Sequence, residues 1–183
     1  MNGWRRTGRG TKLRLVGVFD QQEAVLLRGL IGQVRTMLAE RVSDVPADEL
    51  AELTGIPSGH TRPPEDPVLA RLLPDFHRDD AELAAMLRAA REPELLDAKT
   101  EAADVVLNTC PPEGGRAELT VSQADAWLSA LNDVRLALGT TLGVTEDMPD
   151  ETPDDETLAA HLSVYHWLTF VQDALVQTRA TAL

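Results

Sequence analysis

The stretch ALNDVRLALGTTLGV, residues 130–144, reads either as a ligand-binding loop or as the late part of a helix. A phosphate-cradling loop needs closely spaced glycines between a strand and a helix start, often followed by a lysine. Here Gly139 and Gly143 come late in a helical pattern with no lysine near. At about 100° per residue, Trp127, Leu131, Val134, Leu138 and Leu142 share one arc, so the segment is the second half of an amphipathic helix. Thr120 and Gln123 form a capping-box pattern ahead of a helix over 121–143; Gly139 serves late-helix packing and Gly143 terminates it. One residue does not fit the polar side: Arg135 falls inside the apolar arc, beside Leu128. It must carry its charge out to water along its stem or find an acidic partner, because an unpaired buried charge is very costly. Asp133 lies about 160° away on the same helix and is excluded as that partner; Asn132 and Asp133 are expected to point away from the core.

Working outward, the same periodicity recurs on both sides. Asp20 and Glu23 cap a helix running to about Val42, with Leu26, Leu27, Leu30, Ile31, Val34, Met37 and Leu38 on its inner arc. "DPVLARLLP" (66–74) starts with Asp66 as N-cap and Pro67 at the first helical position. Asp79 with Glu82 reads as the cap of a helix through about Arg91, and Pro93 starts or kinks the next, whose inner stripe holds Leu95, Leu96, Ala102, Ala103, Val106 and Leu107. Lys99 falls on that stripe, so Arg135 and Lys99 together point to buried or interfacial charge pairs. The final helix, about 156–179, is apolar almost all round. Such a helix is central in a bundle or covered by a second subunit, which makes Trp167 and Val171 candidate contact residues and a homo-oligomer the expected state.

The reading is therefore mainly α, a single-domain helical bundle of about five to six helices with one short N-terminal strand in "KLRLVGVF" (12–19). Residues 1–11 form a basic arm, and 12–183 the helical domain. Five of the eleven prolines lie within 44–67, so a proline-rich loop is expected over 44–66, interrupted by a short helix at 48–54. An acidic loop covers 145–156, with seven acids and no base.

Charge narrows function. The chain carries a formal net charge of −13, which argues against a protein mainly devoted to neutralising phosphates. The bases are clustered, however: Arg5, Arg6, Arg9, Lys12 and Arg14 fall within the first 14 residues with no acid among them. This cluster is the candidate partner-binding segment; with a protein partner any nucleic-acid contact is expected to be weak or indirect, and the alternative reading is a direct nucleic-acid binder that uses residues 4–14 as an arm. No apolar run is long enough for a membrane span, and the expected location is the cytoplasm.

The chemistry-bearing residues are sparse. His161 and His166 stand five apart, about 140° round a helix, which is wrong for an i, i+4 zinc pair. His60 and His77 fall in loops, and the acidic loop lacks the spacing and central glycine of an EF-hand. No serine or cysteine has the context of an activated nucleophile, so neither an enzyme nor a metal or other cofactor is expected. Cys110 is the single cysteine, at an expected helix C-terminus where the dipole raises a thiol pKa. It is the sole candidate redox residue.

Three segments, "DPVLARLLPDFHRDD" (66–80), "LNDVRLALGTTLGV" (131–144) and "YHWLTFVQDALV" (165–176), together with "LRLVGVFDQQEAVLLRGLIGQV" after a basic N-terminus, resemble an actinobacterial family of unknown function that includes the oxidative-stress transcriptional regulator AosR. The resemblance implies a regulator of stress-responsive transcription that contacts a sigma factor of the extracytoplasmic-function type, with redox state controlling the contact. The chain departs from that picture in its thiols. A cysteine-pair switch needs two, and only Cys110 is present.

Overall fold

The computed structural model describes residues 3–44, 59–145 and 155–180. Three strands come first to hand: β1 (Trp4–Thr7), β2 (Arg14–Phe19) and β3 (Gly115–Leu119). Five helices complete the described residues: α1 (Gln21–Ser43), α2 (Pro67–Leu72), α3 (Ala81–Thr109), α4 (Val121–Leu142) and α5 (Glu156–Ala180). The protein is mainly α, as its periodicity indicates. The expected helix at 48–54 lies outside the described residues, as does most of the acidic loop.

The caps form where the sequence places them, with one shift. Asp20 accepts from the Glu23 amide at 2.8 Å while Glu23 accepts from the Asp20 amide at 2.9 Å. Thr120 and Gln123 make the same reciprocal pair at the start of α4. Asp66 accepts from the Leu69 amide at 2.9 Å, with Pro67 at the first helical position. The α3 cap is Asp80 rather than Asp79; its carboxylate accepts from the Glu82 and Leu83 amides, both at 3.0 Å. At the other end of α4, Gly143 takes φ +65 and closes the helix in the left-handed conformation, where a side chain would be strained.

Two expectations are corrected. Pro93 neither starts nor ends a helix: α3 runs unbroken through it for 29 residues. A proline inside a helix costs about 3 kcal/mol. Buried side chains on both sides, Arg88 and Glu92 before it and Leu96 after it, hold the two halves in line. The N-terminal strand is not single either. β2 is the centre of a three-stranded antiparallel sheet of order β1-β2-β3, with Trp4 opposite Gly17, and Leu15 opposite Leu119.

The sheet's inner face carries Trp4, Leu15, Phe19, Ala117 and Leu119, all buried. Trp4, Phe19 and Trp127 meet edge-on or tilted with centroids 5.3 to 5.8 Å apart, joining sheet and α4. Gly17 makes this possible, because a Cβ there would lie 3.0 Å from the Trp4 ring. α3 packs on α1 and α4, and α5 pairs antiparallel with α4 so that its C-terminal end reaches the sheet, where Thr178 donates to the Trp4 carbonyl.

Candidate functional site

Arg135 reaches across to α5 within the same chain. Its Nε donates to Thr169 Oγ1 at 3.0 Å and its Nη1 to Gln172 Oε1 at 2.5 Å, while the guanidinium lies 5.5 Å from the centre of the Tyr165 ring. The partners are a hydroxyl, an amide oxygen and a π face, with no carboxylate. Thr169 in turn donates to the Tyr165 carbonyl, so the acceptor is fixed before the arginine arrives. Gly139 leaves room for the same tyrosine: a Cβ there would lie 3.3 Å from its ring. The α4–α5 contact thus uses both unusual residues of the 130–144 stretch.

Asp133 does not point to solvent, contrary to the sequence expectation. It is 3% exposed and accepts a hydrogen bond from Lys99 Nζ at 2.6 Å, tying α4 to α3. Burial pushes the Asp133 carboxyl above its ordinary pKa, opposed by Lys99. Because α4 is packed on three sides, its buried arc is wider than the apolar stripe alone indicates.

A second buried charge cluster was not visible in the sequence reading. Arg88 and Glu92 are each 1% exposed and form an i, i+4 pair. Arg88 also donates to Asp75 at 2.6 Å and to the Leu73 carbonyl at 3.2 Å; Arg41 donates to the second Glu92 oxygen at 2.8 Å and to the Arg62 carbonyl at 2.8 Å. The network joins the end of α1, the middle of α3 and the chain after α2. Its signal is present in the sequence, since Arg88, Glu92, Leu96 and Lys99 continue one stripe at i, i+4, i+8 and i+11. Reading Pro93 as a boundary cuts that stripe in two.

Cys110 caps the C-terminal end of α3 and is buried. Burial pushes its thiol up to about 11, with the Arg28 charge acting the other way. Arg28 donates to the Leu107 and Cys110 carbonyls, which satisfies the open end of α3. A protonated, inaccessible thiol is a poor nucleophile.

The proposed contact residues divide. Val171 is fully buried against the molecule's own core, so the surface expected there is already covered. Trp167 packs against the same core at its edge, and its indole N–H finds no acceptor among the described residues. Arg5, Arg6, Arg9 and Lys12 are exposed. Arg14 is half-buried and donates to the Leu13 and Thr11 carbonyls at 2.7 and 3.2 Å. The basic segment is not a free arm along its length, because Trp4–Thr7 is built into the sheet.

The concave surfaces are open. A groove of about 320 Å³ runs between α3 and α4, lined by Ala98, Glu101, Ala102, Ser122, Gln123 and Ser129 among others. A shallower one of about 650 Å³ follows α1 past Gly29, Gly32, Thr36 and Met37. Neither gathers two titratable groups of complementary role. Among the described residues no cluster of histidine, cysteine or carboxylate side chains has the arrangement of a metal site, and no helix is long and apolar enough to cross a membrane.

The family described as Domain of unknown function (DUF2017) matches residues 1–179. The chain belongs to this family. The DUF2017 match includes the sheet, all five helices almost to the end of α5, and both buried charge clusters. Among similar proteins, the oxidative stress regulator AosR of Mycobacterium tuberculosis is 44% identical over 94% of this chain and 85% of its own length, and the same holds for the protein of that name in Mycobacterium bovis. A putative oxidative stress regulator AosR of Mycobacterium leprae is 41% identical over 94% of this chain and 86% of its own. No solved structure matches the chain.

Proposed function

We propose that this DUF2017 protein is a cytoplasmic, non-enzymatic regulator of an oxidative-stress response that acts by contact with another protein, a sigma factor or RNA polymerase. The single observation that carries the reading is the near full-length identity to proteins named oxidative stress regulator. The charge balance supports a protein partner, since an acidic body complements the basic nucleic-acid-binding surfaces of the transcription machinery. The thiol chemistry narrows how such a regulator is controlled: one buried, protonated cysteine cannot form a disulfide within the chain, so redox control reaches this protein through its partner or through a second chain.

The test is capture of partners from lysate on the immobilised full-length protein, under reducing and oxidising conditions, followed by reconstitution with the purified candidate. Recovery and reconstitution of a sigma factor or polymerase subunit is the expected result. Failure of both a sigma factor and the polymerase to form a complex with the purified protein, under reducing and oxidising conditions alike, removes the regulatory contact.

A further inference from the structure

The cations near the N-terminus occupy one pole of the molecule. In the pleat of the sheet, Trp4, Leu15, Gly17 and Phe19 face the helices. The opposite face therefore carries Arg5 beside Val16 and Glu118, Arg14 opposite Thr7, and Arg116 opposite Val18. Arg9 and Lys12 extend this face at the tip of the β1–β2 hairpin, and Arg6 stands exposed on the edge strand. Although acids outnumber bases in the chain by 30 to 17, none of Arg5, Arg6, Arg9, Lys12 and Arg14 has an ion-pair partner among the described residues. Glu118, the acid on the same face, is engaged by Arg116 at 2.7 Å. Asp20, next in sequence, caps α1.

We propose that the outer face of the sheet and the β1–β2 hairpin tip bind the phosphate backbone of duplex nucleic acid, without reading its bases. Four of the five unpaired cations are arginines, whose planar fork matches phosphate oxygens. A single strand is disfavoured, because it is held by stacking on exposed aromatic rings, and the sheet's aromatics, Trp4 and Phe19, are buried on the other face. An acidic peptide is disfavoured because Val18 is the one large apolar side chain exposed on this face, which leaves little apolar surface to anchor a peptide side chain. The net negative charge does not cancel the attraction, since at physiological salt a charge is screened within about 8 Å. This proposal stands independently of the protein-contact reading and adds a second surface to it.

Fluorescence anisotropy with a labelled 20-base-pair duplex, titrated with full-length protein from 50 to 200 mM salt, provides the test. Four phosphate contacts weaken binding on the order of 100-fold over that range. Arg5→Glu with Arg14→Glu is expected to reduce affinity at least tenfold at 50 mM salt, while Arg78→Glu, an exposed base elsewhere, leaves it unchanged; circular dichroism establishes that each variant is folded. If the double variant unfolds, Arg9→Glu with Lys12→Glu at the hairpin tip gives the same readout. The proposal is overturned by no duplex binding at 50 mM salt, by binding that the charge reversals leave intact, or by equal or tighter binding of a 20-nucleotide single strand or a polyglutamate peptide.

Discussion

Arg135 shows how a charged side chain is kept on a buried face without an ion pair. A carboxylate in its place of contact would gain Coulomb energy but lose a second hydration shell, and buried pairs often do no better than break even. Thr169, Gln172 and the Tyr165 ring instead supply two neutral acceptors and a π face, at one desolvation cost rather than two. At Cys110 the same cost acts on a group that can avoid it by staying neutral. The thiol is raised from 9.0 to about 11, so the native state holds its proton where the unfolded chain releases it. The stabilising contribution is therefore complete below pH 9 and is lost as pH rises through 11. Denaturant titrations of the protein and of Cys110→Ala are expected to show the wild type losing stability relative to the variant between pH 9 and 11, with parallel behaviour below pH 8. A thiol reagent at pH 7.5 should label Cys110 only in denaturant; rapid labelling of the folded protein would show an accessible thiol.

At the scale of elements, the glycines in the helical core and its approaches have opposite roles. Gly59 returns the chain to α3 where Pro93 has removed the donor to Ala89, and a Cβ there would lie 2.5 Å from the Ala89 carbonyl oxygen and 3.1 Å from the Pro93 ring. Gly29, inside α1, has nothing within 4 Å of such an atom. Gly59→Ala is expected to destabilise by about 1–3 kcal/mol, as overpacking does, and Gly29→Ala to stabilise by up to about 1 kcal/mol, the helix-propensity difference. Thermal or urea melts of the two variants check both signs. Helix identity was legible because caps and periodicity agree: Asp20 with Glu23, Asp66 with Pro67, and Thr120 with Gln123 all form as read. Pro93 was misread because propensity is local, while the buried residues that carry α3 through it come from tertiary packing. β3 was missed because "GRAEL" has only Ala117 and Leu119 on its buried side and no β-branched residue; it is a strand by virtue of β2. Of the candidate site residues, the exposed bases were legible from clustering alone. Asp133 was not, because its burial depends on where Lys99 arrives from another helix.

At the scale of the whole molecule, bases without an ion-pair partner among the described residues gather at the sheet, while the chain as a whole carries a net charge of −13. Self-repulsion of that size opposes compactness, and dissolved salt screens it. Salt also weakens ion pairs, so the sign of its effect depends on which pairs are reachable. Of the pairs that join elements, Arg41–Glu92 and Lys99–Asp133 are shielded by burial, as is Arg88–Glu92 within α3, whereas Arg35–Asp104 between α1 and α3 and Arg179–Asp125 between α4 and α5 are open to solvent. Pairs open to solvent, Arg91–Glu94 and Arg116–Glu118 among them, contribute little each, about 0–1 kcal/mol. Screening of net repulsion is therefore the larger effect. Raising sodium chloride from 10 to 300 mM is expected to raise Tm, and a gain of about 1 kcal/mol corresponds to about 2–4 °C for a domain of this size. Calorimetry across that series checks it. A falling Tm would mean that attraction between surface pairs such as Arg35–Asp104 and Arg179–Asp125 outweighs the repulsion among the acids, and would move the origin of stability from the apolar core and its buried charges to the surface.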